Sequence, residues 1–420
     1  MNVAVLGAAR YPSPLKRWVS NSERVPATVV RSVEARPADD LLFELAGARE
    51  HIFFHPSETR AGIVTCGGLC PGLNDVIRSL FFEMHHAYRI KEVVGFRWGY
   101  QGLDPDQGAE PLVLTPELVD GIHLRGGTIL GTSRGPVDKV RAVDNLIRRR
   151  INILFTIGGD GTQRGAREFF EEARSRGYAL SVVGIPKTID NDIPFVSRSF
   201  GFLTAVQEAA EVLQRAHTEA RSVQNGIALV KLMGRHAGFL TAEATVASQD
   251  VNFTLVPEVP FQLEGESGFL AALEKRMVQR GHAVIAVAEG AGQELLGNTG
   301  DERDASGNVR LSDIGLFLSN KIEEWFEARR IPFVMRYLDP SYALRSSPDN
   351  AEDSVLCDRF ARYAAHAAMA GKTGLVIGLL HDQFIHVPIE LLATQQKRLD
   401  PDSPTWGAVL AATGQPHHFG

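Results

Sequence analysis

The sequence predicts an α/β protein built of two doubly wound, parallel-sheet (Rossmann-like) domains behind an irregular N-terminal extension. Three observations carry that expectation. Short runs rich in Val and Ile alternate with helix-length amphipathic segments, as strands covered on both faces do. Glycine-rich or Asx-rich turns follow several of those runs directly. Prolines at 12, 14, 26 and 37 interrupt the first 58 residues, which show no sustained periodicity.

The candidate strands run over residues 61–66, 93–96, 152–157, 181–185, 227–231, 282–288, 332–337 and 374–379. Between the first two, Val76, Ile77, Leu80, Phe81 and Met84 recur at helical spacing. Leu316, Ile322, Trp325 and Phe326 do the same after Ser312, a residue suited to capping a helix. Such stripes face a core and carry no chemistry. The polar, glycine-bearing stretch 290–310 reads as a long surface loop. A coarse division near residue 200 gives an extension over 1–58, a first domain over 59–200, a second over 201–380, and a C-terminal segment over 381–420 that is expected to pack back on the first.

Forty-four Lys and Arg against 50 Asp and Glu leave a net charge of -6, so overall charge offers nothing to nucleic acid or an anionic membrane. Any anion site must be built from local cations. No apolar run approaches the roughly 18–20 residues a membrane helix needs, so no membrane partner is expected. Three cysteines, Cys66, Cys70 and Cys357, point to reduced thiols in a cytoplasmic setting rather than a disulfide framework.

Three turns hold the candidate chemistry. Cys66-Gly67-Gly68-Leu69-Cys70-Pro71-Gly72 leads into a helix, where backbone N–H groups can approach a phosphate; an ordinary strand–turn–helix junction looks the same. Gly158-Gly159-Asp160-Gly161-Thr162 puts a carboxylate inside a glycine turn. That carboxylate would repel a phosphate directly but suits one bridged by Mg²⁺. Lys187-Thr188-Ile189-Asp190-Asn191-Asp192 offers one acid to take a hydroxyl proton and another for metal, although Asx residues favour turns anyway. Arg134, Lys187, Arg235 and Arg345, beside glycines or strand ends, are candidate phosphate cations.

In this order, the segments resemble the phosphofructokinase family, from about residue 61 to about 378, and within it the ATP-dependent plant and trypanosomatid enzymes. The resemblance implies the phosphofructokinase fold, with the first domain binding nucleotide and the second the sugar phosphate. It implies Asp190 as the base for the 1-hydroxyl of fructose 6-phosphate, Asp160 as Mg²⁺ ligand with Asp192 assisting, and catalytic parts for Thr188, Arg134 and Arg235. Gly68, Tyr100, Arg134, Gly161, Thr162 and Gly165 match the ATP site. Thr188, Met233, Gly234, Arg235, Glu289, Tyr342 and Arg345 match the sugar-phosphate pocket, with Arg345 on the 6-phosphate. Arg336 matches an arginine that reaches the 6-phosphate across a subunit boundary, which implies a homo-oligomer, at least a dimer and by family habit a tetramer.

Two departures stand out. The second cross-subunit arginine of the bacterial enzymes would fall at Gly226, and one of their effector-site arginines at Phe82. Bacterial-type ADP and phosphoenolpyruvate regulation is therefore not expected. Gly161 and Lys187 bear on the donor: glycine leaves room for the nucleotide's α-phosphate, whereas pyrophosphate-dependent members carry aspartate there and lysine at the second place. Glycine with lysine together match the plant and trypanosomatid ATP enzymes. NAD and lipid kinases share the Gly-Gly-Asp-Gly-Thr turn but lack the 188–192 and 233–235 motifs. A catalytically silent subunit would have lost an acid, yet Asp160, Asp190 and Asp192 are all present.

Overall fold

The computed structural model describes residues 1–30, 41–297, 310–392 and 396–420. Much of the expected surface loop over 290–310, and part of the extension, lie outside these residues. The chain forms two units: one from residues 1–188, 193–201 and 346–396, the other from 189–192, 202–345 and 397–420.

Thirteen strands among the described residues make the two main sheets. In chain order they are β1 (Arg24–Pro26), β2 (Leu42–Leu45), β3 (Arg60–Thr65), β4 (Glu92–Gly95) and β5 (Leu112–Val113). Next come β6 (Ile153–Gly158), β7 (Ser181–Pro186), β8 (Gly226–Leu232) and β9 (Phe253–Leu255). The last four are β10 (His282–Ala288), β11 (Val334–Leu338), β12 (Leu375–Leu380) and β13 (Gln383–Pro388).

The first unit holds a nine-stranded sheet in the order β1-β2-β13-β12-β7-β6-β3-β4-β5. Its centre, β12 to β4, is parallel, and both margins are antiparallel. Every residue of β6 is buried, which is why its sequence is a continuous apolar run broken only by Thr156. The second unit has a four-stranded, wholly parallel sheet, β9-β10-β8-β11, over a core that includes Leu229, Phe269, Ile285, Ile322 and Phe326. The α/β class expected from sequence is the one found.

The boundaries differ from those expected. Residues 346–380 do not continue the second domain; the helix Ala351–Met369 and β12 belong to the first unit. The C-terminal segment divides, with β13 in the first unit and 397–420 in the second. The first 58 residues are not a separate extension, because β1 and β2 widen the nine-stranded sheet through β13. Pro26 is tolerated because β1 is an edge strand. The helix Ile314–Ala328 is capped by Asp313, whose carboxylate accepts from the N–H groups of Gly315 and Leu316, rather than by Ser312.

Candidate active site

In the first unit, β3, β6 and β7 are adjacent and parallel, so the loops leaving their carboxyl ends emerge at one edge of the sheet. Those are the three turns singled out above. Gly67 N–H donates to the Ser133 carbonyl at 3.1 Å, and Thr132 Oγ1 donates to the Gly67 carbonyl at 2.6 Å, which brings the Arg134 loop alongside. Lys187 joins two turns: its N–H donates to the Gly158 carbonyl at 3.0 Å and its ammonium to the Gly68 carbonyl at 2.5 Å. Arg134 is exposed, and Thr188 holds the Ser199 hydroxyl on its carbonyl at 2.7 Å.

The turn after β6 becomes the N-terminus of the helix Asp160–Ser175. Asp160 occupies its first turn, where the helix dipole favours a carboxylate, and pairs with Arg164. Thr162 is buried. Tyr100 lies beneath the turn: its hydroxyl donates to the Thr162 carbonyl at 2.5 Å, and a Cβ on Gly165 would stand 2.6 Å from its ring. Gly165 is therefore explained by packing on Tyr100. Gly161 has no such explanation, since a Cβ there would meet only the end of Arg164, at 3.6 Å.

In the second unit, β8, β10 and β11 likewise run parallel side by side. The loop after β8 carries Met233, Gly234 and Arg235; Glu289 follows β10; Tyr342 and Arg345 follow β11. Glu289 N–H donates to the Leu232 carbonyl at 2.9 Å, and Gly290 N–H to that of Gly234 at 3.1 Å. Gly234 has φ +123°, a conformation few side chains tolerate.

Asp190 and Asp192 stand with this unit, so the 188–192 motif spans the division of the chain. Asn191 between them is left-handed, φ 54°. The Arg235 N–H points at Asp190 Oδ2, 3.5 Å away, and Asp190 Oδ1 is shut off from solvent. Burial, then the nearby Asp192 and Glu289 carboxylates, push the Asp190 carboxyl well above its ordinary range, while Arg235 pulls the other way. Burial also raises Glu289, opposed by Arg235, Lys231 and Arg345. Arg345 bonds the Ser341 carbonyl through Nε at 3.1 Å and lies 5.0 Å from the centroid of the exposed Tyr342 ring. Arg336, on β11, is exposed with Glu219 3.5 Å away.

Three contributors went unread in the sequence. Lys231 is fixed between Asp313 at 2.8 Å and Asp339 at 2.9 Å, and its charge opposes the upward shift of Glu289. Arg164 pairs with Asp160; its place one helical turn on was the available signal. Lys397 lies in the field of Asp192, and no local motif marks it. Among the described residues, no group of three or more His, Cys, Asp or Glu could hold a metal by itself. The lone Asp160 carboxylate still fits Mg²⁺, which is commonly bound by one or two carboxylates together with substrate phosphates and water. Burial pushes the Cys66 thiol up to about 12, so it is no nucleophile.

Open parallel sheets with glycine turns and acids at their carboxyl ends are the arrangement of phosphate-handling α/β proteins. The phosphofructokinase family model matches residues 60–368, and the chain belongs to that family. It is 46% identical to an ATP-dependent 6-phosphofructokinase of Borreliella burgdorferi, over 98% of this chain and 96% of that one. A Trypanosoma cruzi protein of the same name is 48% identical, over 98% and 87%. Among solved structures, a pyrophosphate-dependent phosphofructokinase from Marinobacter aquaeolei matches with a TM-score of 0.71. The match covers 84% of this chain and 91% of that one at 20% identity, a likeness of fold alone.

Proposed function

We propose that the chain is an ATP-dependent 6-phosphofructokinase that moves the γ-phosphoryl group of ATP to the 1-hydroxyl of fructose 6-phosphate. The observation that carries this reading is Asp190, in the turn after β7, with Oδ1 shut off from solvent and Oδ2 3.5 Å from the Arg235 N–H. Two relatives, similar over nearly the whole chain, bear that activity in their names.

In this reading Asp190 accepts the proton of the 1-hydroxyl as that oxygen bonds to the γ-phosphorus. The bond to the β–γ bridging oxygen breaks, and ADP leaves. Asp160 holds Mg²⁺, with Asp192 assisting; the metal supplies charge neutralisation for the phosphates. Gly68, Tyr100, Gly161, Thr162 and Gly165 form or support the nucleotide site, and Gly161 with Lys187 sets the preference for ATP. Arg134 offsets charge developing on the transferred group. Thr188, Met233, Gly234, Arg235, Glu289 and Tyr342 line the sugar-phosphate pocket, with Arg345 on the 6-phosphate.

Arg336, exposed on its strand, serves the same phosphate in a neighbouring copy of a homo-oligomer, at least a dimer and by family habit a tetramer. The nucleotide-binding assignment goes with the first unit and the sugar-phosphate assignment with the second. The reading includes a glycolytic role in the cytoplasm, and no described helix is long and apolar enough to cross a membrane.

A donor-by-acceptor activity matrix with Mg²⁺ tests the function: ATP with fructose 6-phosphate should give the highest turnover, and a preference for pyrophosphate or another acceptor would overturn it. Asp190→Ser should lower kcat by about 10²–10⁴-fold, the usual scale of a general base, with little change in the affinity for fructose 6-phosphate. Unchanged turnover would remove Asp190 from the role.

A further inference from the structure

Arg345, the residue assigned to the 6-phosphate, sits on the short helix Ser341–Ser346 after β11, in which only Leu344 is buried. Packing alone therefore holds this helix weakly, and its start is fixed instead by Asp339. One oxygen of that carboxylate accepts the Ser341 N–H at 3.1 Å and also the Ser341 hydroxyl. The Ser341 carbonyl in turn accepts from Arg345 Nε at 3.1 Å, one helical turn on. The other oxygen, Asp339 Oδ2, stands 2.9 Å from the ammonium of Lys231.

Lys231 lies on β8, the neighbour of β11, and its side chain is only 12% exposed. Its ammonium also donates to Asp313 Oδ2 at 2.8 Å. Asp313 is anchored independently. Its Oδ1 accepts the Gly315 and Leu316 N–H groups, capping the helix Ile314–Ala328, and the Tyr337 hydroxyl at 3.1 Å. Tyr337 is seated on the same turn, where a Cβ on Gly315 would collide with its ring. Burial works against the Lys231 charge, but the bonds to Asp313, Asp339 and Tyr337 outweigh it and raise the ammonium above lysine's ordinary range. Without that charge, the Asp313 and Asp339 carboxylates would be left to repel one another. Asp313 keeps its three other donors and Asp339 keeps those of Ser341, so the side free to shift is the one that carries Arg345.

Resting on the reading of Arg345 given above, we propose that Lys231 is a positioning residue of the sugar-phosphate pocket, a strut from the Asp313 cap to Asp339 that fixes residues 339–345 and so aims Arg345 at the 6-phosphate. Its effect falls on capture of the sugar phosphate rather than on the nucleotide.

Steady-state kinetics of Lys231→Met, Lys231→Arg, Asp339→Asn and the double variant Lys231→Met with Asp339→Asn, with ATP and fructose 6-phosphate each varied, test this. Lys231→Met should raise the KM for fructose 6-phosphate by about 10-fold or more, the scale of one lost hydrogen bond to a charged group. Its KM for ATP should stay within about 2-fold of the parent. Arginine, whose fork can span both carboxylates, should bring the fructose 6-phosphate value back to within about 3-fold of the parent. Asparagine at 339 keeps an acceptor for Ser341 but loses the charge, so it should raise the same KM, and the double variant should be no worse than Lys231→Met alone. Asp339 is exposed, so Asp339→Asn decides the matter if Lys231→Met does not fold. With the parent active, a KM for fructose 6-phosphate within about 2-fold of the parent in either single variant would overturn the proposal, as would additive effects in the double variant. So would an equal rise in both KM values that arginine does not rescue, which is the mark of a general loosening. Absence of fructose 6-phosphate phosphorylation by the unaltered chain would overturn the function itself, and this inference with it.

Discussion

Asp75, in the first turn of the helix Leu73–Phe82, is buried beside Asp349. Burial and the neighbouring carboxylate push its carboxyl up to about 7, and the Ser79 hydroxyl only partly offsets them. The sign follows from linkage. The folded pKa lies above the unfolded value of about 4, so the stabilising contribution is complete below about pH 4 and is lost as pH rises towards 7. Asp75→Asn imitates the protonated form at every pH. The asparagine variant should therefore gain in melting temperature relative to the parent as pH rises from 5 to 8. A constant difference across that range would mean that the pair does not share a proton. The same physics, with Arg235 as counterweight, raises the Asp190 carboxyl above its ordinary range.

At the scale of elements, the helix Asp160–Ser175 poses a question that packing does not answer. Gly161 is its second residue and is exposed, with open space around a hypothetical Cβ apart from the end of Arg164. Glycine inside a helix costs about 0.5–1 kcal/mol relative to alanine, while an acid near a helix N-terminus gains about 0.3–1 kcal/mol. Gly161→Asp should thus leave folding stability unchanged or raised by up to about 1 kcal/mol in chemical denaturation. Its KM for ATP should rise by about 10²-fold, because a carboxylate would face the nucleotide's phosphates. Unaltered ATP kinetics would detach Gly161 from the donor site.

What the sequence discloses divides along the same line between local and distant. The eight expected strands correspond to β3, β4, β6, β7, β8, β10, β11 and β12, because each is a mostly apolar run long enough to be seen. The two- and three-residue strands β1, β5 and β9 are too short to show a period, and Glu44 breaks the apolar run of β2. β13 is missed because buried His386 breaks its apolar run. The candidate site was legible where turns and acids adjoin strands. It was not legible where partners stand far apart, as Lys231 and Asp313 do by 82 positions.

Over the whole molecule, the chain returns to each unit after leaving it, so no uninterrupted stretch contains either core. The first domain expected from sequence, 59–200, omits residues 1–58 and 346–396 of the unit it belongs to. β7 would lose β12, paired with it through Val183–Leu375 and Gly184–Val376, leaving an open edge along a central strand. The helix Ala351–Met369 would also be missing, and it buries Leu356, Phe360, Ala364 and Ala368 in the core of that unit. Each fully buried Leu or Phe side chain stabilises by about 1.5–3 kcal/mol. Losing several removes as much as the ~5–15 kcal/mol by which a domain is stable at all. A fragment of residues 59–200 should therefore show no cooperative melting by circular dichroism. Joining residues 346–396 to 1–201 through a flexible linker should restore a transition, since the two pieces together supply all the strands of the nine-stranded sheet. A sharp melt from 59–200 alone would show that the helix and β12 are accessories to a core complete without them.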